Sequence, residues 1–197
     1  MQYKTIDEQL KQAIFILKQN NELMDILDYI YKLKLPNFYI ASGSIFQTIW
    51  NYYDNLPLNN NIKDIDIIYY NKDDISVEKD LEYYNIINNY RLSKGYNFGI
   101  DVSNEARMHL WKKERLNKDV EPYINSEDAI GKWVATVNSI GLTKDEDGLK
   151  IYAPYGLSDI YSKTIRPIKH KYNNENIYKK KVKSWSKRFN NLNVVEW

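Results

Sequence analysis

Residues 63–70 read KDIDIIYY, and this stretch places two acids inside an apolar β-strand. Successive side chains of a strand point to opposite faces, so Asp64 and Asp66 share one face while Ile65 and Ile67 enter the core. The two carboxylates are then roughly 7 Å apart. Like charges at this spacing repel each other unless a positive charge lies between them. The pair therefore either binds one or two cations or lies on a solvated strand edge.

A third acid interrupts another apolar strand, which reads FGIDV over residues 98–102. Asp101 points away from the core-facing Phe98, Ile100 and Val102, and a neighbouring strand could place it beside the first two acids. Three carboxylates with water and phosphate oxygens suit octahedral Mg²⁺ or Mn²⁺ better than Zn²⁺. Two such ions could activate an attacking hydroxyl and neutralise the charge that develops at phosphorus. The three acids therefore indicate phosphoryl or nucleotidyl transfer.

A glycine turn separates the buried run FYIA, residues 38–41, from a helical pattern over residues 45–50. Gly43 would let a phosphate approach the backbone closely, and the first amides of the helix would point toward it. Ser44 could add a hydroxyl donor. The same residues are also explained by an ordinary helix start, with Ser42 or Ser44 as its cap.

Apolar periodicity predicts the remaining elements. Two helices are expected between Ile6 and Lys34, with a break near Asn20. Further elements are predicted in the following places: helices over 76–90, from a cap at Asn104 to Leu116, from a cap at Ser126 and over 172–192, and a short strand over 149–153. This order predicts an α+β, or mixed α/β, fold in which a short mixed sheet is flanked by helices.

Length and composition limit the possible classes of protein. With 197 residues, 43% of them hydrophobic, the chain is expected to form a single domain over 1–197, with an N-terminal helical segment (1–35), a catalytic core (36–168) and a basic C-terminal helix (169–197). Zero cysteines exclude disulfides and thiolate zinc sites. No stretch approaches the roughly 20 apolar residues of a membrane span, so a cytoplasmic protein without a membrane partner is expected.

The segment after the third acid carries further candidate binding residues. On a helix, Arg107 and Trp111 share a face at a spacing of four. Arg107 could hold a triphosphate and Trp111 could stack on a base, or the two could belong to an ordinary amphipathic helix. His109 could contact a phosphate or a metal, although no second histidine lies at ligand spacing.

The C-terminal run KKKVKSWSKR, residues 179–188, concentrates positive charge. Its lysines could meet a phosphate backbone, and Trp185 and Phe189 could serve as stacking surfaces or core anchors. A solvated helix face explains the same lysines. Upstream, Arg166 could close the site or form only a salt bridge, and Asp159 could lie in a helix turn.

The combination of Gly43-Ser44, Asp64-Ile65-Asp66 and an isolated strand acid, Asp101, resembles the DNA polymerase β-like nucleotidyltransferase superfamily. The superfamily pattern is a Gly-Ser or Gly-Gly turn, an Asp-x-Asp strand and a third strand acid. The resemblance implies a nucleotidyltransferase fold in which the three aspartates bind metal ions and the turn contacts phosphate.

A narrower resemblance is to a bacterial family of nucleotidyltransferase-like proteins. It rests on four stretches within roughly residues 39–167: 41–51, 64–70, 101–111 and 153–159. Nineteen residues separate Ser44 from Asp64, which is a longer spacer than is usual in the superfamily. An inserted loop over 51–63 is therefore expected.

Three functional hypotheses follow from these residues. In the first, a Mg²⁺- or Mn²⁺-dependent enzyme transfers a nucleoside monophosphate from a nucleoside triphosphate to a hydroxyl acceptor, which could be a small molecule, a protein or an RNA. In the second, the fold is a non-catalytic binding module or an antitoxin-like regulatory partner. In the third, a phosphohydrolase uses the same carboxylates to deliver water. The residues do not choose among acceptors or bases.

Overall fold

The computed structural model describes residues 5–117 and 119–197. A five-stranded mixed sheet forms its centre, built from β1 (Tyr39–Ala41), β2 (Asp64–Tyr69), β3 (Gly99–Asn104), β4 (Gly141–Asp145) and β5 (Gly148–Tyr152). The strand order is β3-β2-β1-β4-β5. Only β2 and β3 run parallel within this sheet, and the other neighbouring pairs are antiparallel. The predicted mixed α+β fold is confirmed.

Helices pack around this sheet. They are α1 (Ile6–Leu17), α2 (Asn21–Leu33), α3 (Gly43–Tyr53), α4 (Val77–Ser93), α5 (Met108–Leu116), α6 (Ser126–Gly131), α7 (Ser158–Tyr161) and α8 (Glu175–Ser186). Two single-turn 3₁₀ helices cover Glu105–Arg107 and Thr136–Asn138, and β6 (Thr164–Ile165) pairs with β7 (Asn193–Val194). No helix in the described part of the chain combines the length and apolar character needed to cross a membrane.

Asn20 marks the predicted break between the first two helices, and the structure confirms it. Its side-chain oxygen accepts a hydrogen bond from the Leu23 amide at 3.2 Å and so caps α2. Its side-chain nitrogen donates to Thr48 Oγ1 at 3.1 Å and to Asn59 Oδ1 at 2.6 Å. One polar side chain therefore ties α2 to α3 and to the loop that follows α3.

The main hydrophobic core lies on one face of the sheet. Ile65 and Ile67 from β2, with Ile100 and Val102 from β3, are buried there with residues of α1 to α4. Burying each such side chain is worth about 1.5–3 kcal/mol relative to leaving it exposed. The period-2 alternation consequently directs the acids of β2 and β3 to the opposite face, as predicted.

Some elements differ from the sequence predictions. Strand β4 was not predicted because its sequence, Gly-Leu-Thr-Lys-Asp, has one large apolar residue, and its pairing with β1 stabilises it instead. The cap of α6 is Asn125, whose side chain accepts from the Asp128 amide, rather than Ser126. The last helix covers Glu175–Ser186 and is shorter than the predicted 172–192 because the chain turns at Lys187.

The insertion between α3 and β2 is ordered by Asn51. This residue is fully buried, and its side-chain nitrogen donates to the carbonyls of Leu58 at 2.9 Å and Asn60 at 2.8 Å. Helix α3 continues to Tyr53, so the predicted loop over 51–63 begins inside the helix. The insertion therefore folds back on α3 before the chain enters β2.

Candidate active site

Two of the predicted acids lie side by side in the sheet. The parallel register of β2 and β3 places Asp66 opposite Asp101 and Ile67 opposite Val102. Neighbouring strands are about 4.8 Å apart, so these two acids project from adjacent backbone positions on one face. Asp64 precedes Asp66 by two residues and shares its face. The structure therefore brings all three predicted acids to the same face of the sheet.

The protein environment opposes negative charge at these acids. Burial, followed by repulsion from Asp64, raises the pKa of Asp66 to about 7, and nearby Lys181 works in the opposite direction. Burial and repulsion from Asp64 also raise the pKa of Asp101, against a hydrogen bond from the Val102 amide. The face therefore concentrates carboxylates whose ionised forms need a positive partner.

The donor chemistry of this face fits a hard divalent cation. The Asp66 carboxylate accepts no hydrogen bond from the described residues, so its oxygens are unshared. Oxygen donors of this kind are the ligands that Mg²⁺ and Mn²⁺ prefer. Among residues 5–117 and 119–197, no three acidic or histidine side chains converge tightly enough to form a closed metal cage. The acids form an open face that would be completed by substrate oxygens and water.

The turn between β1 and α3 has an unusual backbone at Ser42. This residue has φ 57° and ψ −121°, a conformation that side-chain-bearing residues rarely adopt, and its amide donates to the Ile140 carbonyl at 2.9 Å. Such conformations cost on the order of 1–3 kcal/mol. Ser42 also lines the cavity described below, so strained backbone lies next to the acid face.

Gly43 and Ser44, the two residues predicted to contact phosphate at this turn, have different environments in the structure. Gly43 is the first residue of α3, and a Cβ there would lie 2.8 Å from Gln47 Nε2. The Ser44 hydroxyl is buried, at 1% exposure, and has no hydrogen-bond partner among the described residues. Ser44 does not line the cavity, whereas Ser42 does. The backbone amides at the start of α3 remain the part of the turn suited to phosphate.

The C-terminal helix is anchored by aromatic residues. Trp185 and Phe189 are 4% and 3% exposed and contact Phe46 and Trp50 of α3 edge-on, with ring centroids 5.3 Å and 5.2 Å apart. Such aromatic pairs add about 0.5–1.5 kcal/mol beyond burial. Of the alternatives open for these two residues, the structure supports core anchors.

Two cations from this anchored segment reach the acid face. Lys181 lies one helical turn before Trp185, lines the cavity and is close enough to Asp66 to oppose the rise in its pKa. Arg188 donates to Gln47 Oε1 at 3.2 Å and to the Asn61 carbonyl at 2.9 Å. Burial lowers the Arg188 pKa, while the charge of Asp64 raises it. The terminal segment thus places positive charge against both acids of β2.

A cavity of about 480 Å³ opens beside the acids. Its walls combine carboxylates, lysines and aromatic rings; they include Ser42, Asp66, Asp101, Ser103, Glu105, Trp111, Lys112, Tyr123, Lys132, Trp133, Asn138, Tyr172, Asn173 and Lys181. This volume is within the range of small-molecule sites in proteins. Acids and aromatic rings that line the same cavity suit a ligand with both a phosphate part and a planar part.

The predicted binding residues of the α5 region take different positions. Trp111 is 36% exposed and lines the cavity. Arg107 does not line it, because its guanidinium donates to the Ile75 carbonyl at 3.1 Å and lies 3.6 Å from the Asp80 carboxylate. The Nδ1 atom of His109 is buried and has no hydrogen-bond partner within residues 5–117 and 119–197. The structure therefore brings Trp111, but not Arg107, to the acids.

The downstream pair Asp159 and Arg166 forms a salt bridge. Arg166 Nε lies 3.0 Å from Asp159 Oδ2, which also accepts a hydrogen bond from Thr136 Oγ1 at 2.7 Å. Neither Asp159 nor Arg166 lines the cavity. Of the two alternatives for Arg166, this geometry supports the salt bridge.

Sequence reasoning missed Glu105, which follows β3 directly. Its side chain lines the cavity at 5% exposure. Burial raises its pKa to about 8, Lys112 works against this rise, and Asp80, Asp101 and Asp66 add to it. An acid in the first turn of a helix is ordinarily a solvated partner of the helix N-terminus, so its position in the sequence gave no sign of burial.

The model of a family described as nucleotidyltransferase matches residues 28–194. A solved NMR structure, described as revealing a CCA-adding enzyme head domain, is similar with a TM-score of 0.75 and 26% sequence identity. The similarity covers 92% of this chain and 95% of that one. None of the functionally curated proteins matches the chain.

Proposed function

The chain belongs to the nucleotidyltransferase family, and from this premise we propose that it transfers a nucleoside monophosphate from a nucleoside triphosphate to a hydroxyl acceptor, releasing pyrophosphate. The observation that carries the proposal is the register of β2 and β3, which sets Asp66 beside Asp101 on a face that opens into a cavity. The acceptor belongs to one of three classes: a small molecule, a protein or an RNA.

Asp64, Asp66 and Asp101 would hold one or two Mg²⁺ or Mn²⁺ ions together with the oxygens of the triphosphate. Such ions, when bound, neutralise the charge that develops on the transferred phosphoryl group and on the leaving pyrophosphate. The unshared oxygens of Asp66 and its burial support this assignment. We also propose that the chain belongs to the narrower bacterial family of nucleotidyltransferase-like proteins.

Protein cations would bind the triphosphate at the acid face. Lys181 faces Asp66 and Arg188 is close to Asp64, so a triphosphate held between them would meet charge-assisted hydrogen-bond donors. The amides at the start of α3 add donors without a side-chain charge. These groups orient the triphosphate so that the acceptor oxygen can attack its α-phosphorus in line with the departing pyrophosphate.

Asp101 is placed to accept the proton of the attacking hydroxyl. It lines the cavity, and its raised pKa makes its carboxylate a better base than an ordinary aspartate. The acceptor O–H bond breaks as the oxygen bonds to phosphorus, the proton moves to the Asp101 carboxylate, and the bond to pyrophosphate breaks.

One observation favours a second candidate function, a non-catalytic binding module. The Lys181 ammonium already partly balances Asp66, and a stable internal partner of this kind would weaken cation binding. In that case the protein binds a triphosphate or a partner protein without releasing pyrophosphate.

Turnover with an α-phosphate-labelled nucleoside triphosphate separates the two candidates. Wild-type protein is incubated with each triphosphate, Mg²⁺ and acceptors of the three classes, and both pyrophosphate release and label transfer are measured. Asp66→Asn should abolish both signals, since it removes a central carboxylate while relieving charge repulsion in the fold.

The matched control is Asp73→Asn, which makes the same chemical change on the exposed loop after β2. It should retain full turnover. Equal turnover by Asp66→Asn and wild-type protein would overturn the assigned site. Triphosphate binding without any pyrophosphate release would favour the binding module.

A further inference from the structure

The C-terminal segment concentrates positive charge that the proposed transfer chemistry uses only in part. Residues 176–195 contain six of the 28 Lys and Arg residues of the chain and none of its 26 Asp and Glu residues. The other residues together therefore carry a net negative charge, although the whole chain is at +2. Lys181 and Arg188 of this segment face the acids. The contact with the acids does not account for the four remaining lysines.

Three of these lysines share the outward face of α8. Lys180, Lys183 and Lys187 are spaced by three and four residues, so they lie one above another, and all three are exposed. Lys187 caps the helix and keeps helical dihedral angles. The buried Trp185 and Phe189 lie on the opposite side of the segment. The three lysines, called the outward lysines below, therefore project into solvent from a segment that aromatic contacts hold in place.

The outward lysines have no acidic partner in the part of the chain that the structure describes. Lys179, on the same helix, pairs with Glu175 at 2.7 Å, whereas the ammonium groups of the outward lysines form no ion pair or hydrogen bond within residues 5–117 and 119–197. Unbalanced ammonium groups raise the local positive potential and attract polyanions. Successive outward lysines are about 4.5 Å and 6 Å apart along the helix axis. An extended ligand with repeated negative charges fits them better than a single anionic group.

We propose that the outward lysines bind the phosphate backbone of an RNA strand whose terminal ribose hydroxyl is the acceptor in the transfer reaction. The inference rests on the proposed function and names the class of its acceptor. A single strand carries one phosphate per nucleotide, and lysines bind phosphates without reading the bases. Lys181 lines the cavity on the flank of the same helix, and one helix width is about 10 Å. A strand bound to the outward lysines therefore reaches the acids with its next few nucleotides.

An anionic membrane surface fits this helix less well than RNA does. A helix that lies on a bilayer inserts an apolar face into the lipid beside its lysines. The largest apolar side chains of α8, Tyr178 and Trp185, are buried in the protein at 2% and 4% exposure. These side chains cannot enter lipid while the protein is folded. RNA needs only positive charge at this surface and is therefore the favoured ligand.

Fluorescence anisotropy with fluorescein-labelled oligouridylate tests the surface independently of catalysis. Affinity is measured at several salt concentrations without any triphosphate. Wild-type protein should bind with a slope of log affinity against log salt of about −2 or steeper, since each phosphate contact with a single strand contributes about −0.7. Lys183→Ala/Lys187→Ala removes two contacts, so it should weaken binding and make the slope less steep by about 1.4.

The matched control is Lys11→Ala/Lys18→Ala, which removes the same charge from two exposed positions of the α1 segment. Helix α1 packs in the core on the other face of the sheet from the acids. This control should bind oligouridylate with the wild-type affinity and slope.

The turnover assay with an RNA acceptor connects the surface to the reaction. Lys183→Ala/Lys187→Ala should raise the KM for RNA about 2- to 30-fold, as expected for the loss of two exposed charge contacts. The KM for the triphosphate should not change, because the outward lysines point away from the cavity.

Wild-type protein that does not bind oligouridylate, or that binds vesicles of phosphatidylserine and phosphatidylcholine in its place, would overturn the RNA assignment and leave transfer to a small molecule or a protein intact. RNA binding that is unchanged in Lys183→Ala/Lys187→Ala would overturn the role of the outward lysines. RNA binding by wild-type protein without label transfer from any triphosphate would overturn the proposed function, and the acceptor role of RNA with it, while leaving the binding surface in place.

Discussion

Replacing Glu105 by glutamine should stabilise the protein in mildly alkaline solution. In the folded protein, burial raises the Glu105 pKa from an ordinary value of 4.5 to about 8. Between these two pH values the folded state holds a proton that the unfolded state has released. Stability therefore falls as the pH rises through this window, and it stays low above pH 8. The glutamine variant does not carry this penalty.

The size of the effect follows from the two pKa values. A difference of 1 between the pKa values in the folded and unfolded states corresponds to about 1.4 kcal/mol of unfolding free energy. Above pH 8, burial of the Glu105 carboxyl therefore lowers the stability of wild-type protein by at most about 5 kcal/mol. The buried amide of the variant costs about 1–3 kcal/mol if it finds no partner. The net stabilisation of Glu105→Gln at pH 8.5 is therefore expected to be about 2–4 kcal/mol, and close to zero or negative at pH 5.5.

Urea denaturation followed by tryptophan fluorescence measures this difference at pH 5.5, 7.0 and 8.5. Asp66, whose pKa is raised to about 7, contributes to the pH dependence of both proteins and cancels in the comparison. Glu114→Gln, the same substitution at an exposed site on α5, should follow the wild-type curve. If Glu105→Gln is no more stable than wild-type protein at pH 8.5, the carboxyl is charged and compensated in the folded state, and the reasoning about its burial is wrong.

Three further changes test other parts of the account. Lys181→Ala should raise the KM for the triphosphate about tenfold in steady-state kinetics, which is the loss expected for one contact to a charged group. The control Lys180→Ala should leave the KM unchanged. An unchanged KM in Lys181→Ala would exclude the phosphate contact. Ser42→Gly should raise the free energy of unfolding by about 1 kcal/mol in urea denaturation, because glycine adopts positive φ without steric cost; a loss of stability would contradict the strain. Arg107→Ala should lower that free energy by about 1–3 kcal/mol without changing triphosphate affinity, because its guanidinium pairs with Asp80; a weaker affinity would contradict its placement outside the cavity.

The acid face could be predicted because it depends on local alternation. A strand must send Ile65 and Ile67 to the core, so Asp64 and Asp66 emerge together on the other face, and the same rule applies to Asp101. The sequence could not show that β2 and β3 run parallel in the register that pairs Asp66 with Asp101. Helix α4 contacts both strands, since Asp80 accepts hydrogen bonds from the Tyr69 hydroxyl and from the Asn104 amide.

The cations of the site could not be recognised in the same way. Lysines on a terminal helix are usually solvated, and Lys181 is separated from Asp66 by more than a hundred residues of sequence. The packing of Trp185 and Phe189 against α3 helps to bring Lys181 and Arg188 to the acids. The position of these cations therefore depends on long-range contacts that the local sequence does not show.

The turn between β1 and α3 is a third feature that could be predicted only in part from the sequence. The Gly-Ser pattern directs attention to Gly43 and Ser44, yet the positive φ and the cavity-facing position belong to Ser42. A serine with positive φ is uncommon, so no sequence rule would place one there. Arg107 is a similar case, because Asp80, which binds it, lies on a helix far from it in sequence.

The most direct test of the central claim is a calorimetric titration of nucleoside triphosphates into wild-type protein and into Asp64→Asn/Asp66→Asn, with and without Mg²⁺. If the acid face is a metal-dependent triphosphate site, wild-type protein binds a triphosphate only in the presence of Mg²⁺, and the double variant loses that binding while remaining folded. Binding of equal strength in the double variant, or binding that does not depend on Mg²⁺, would contradict the claim.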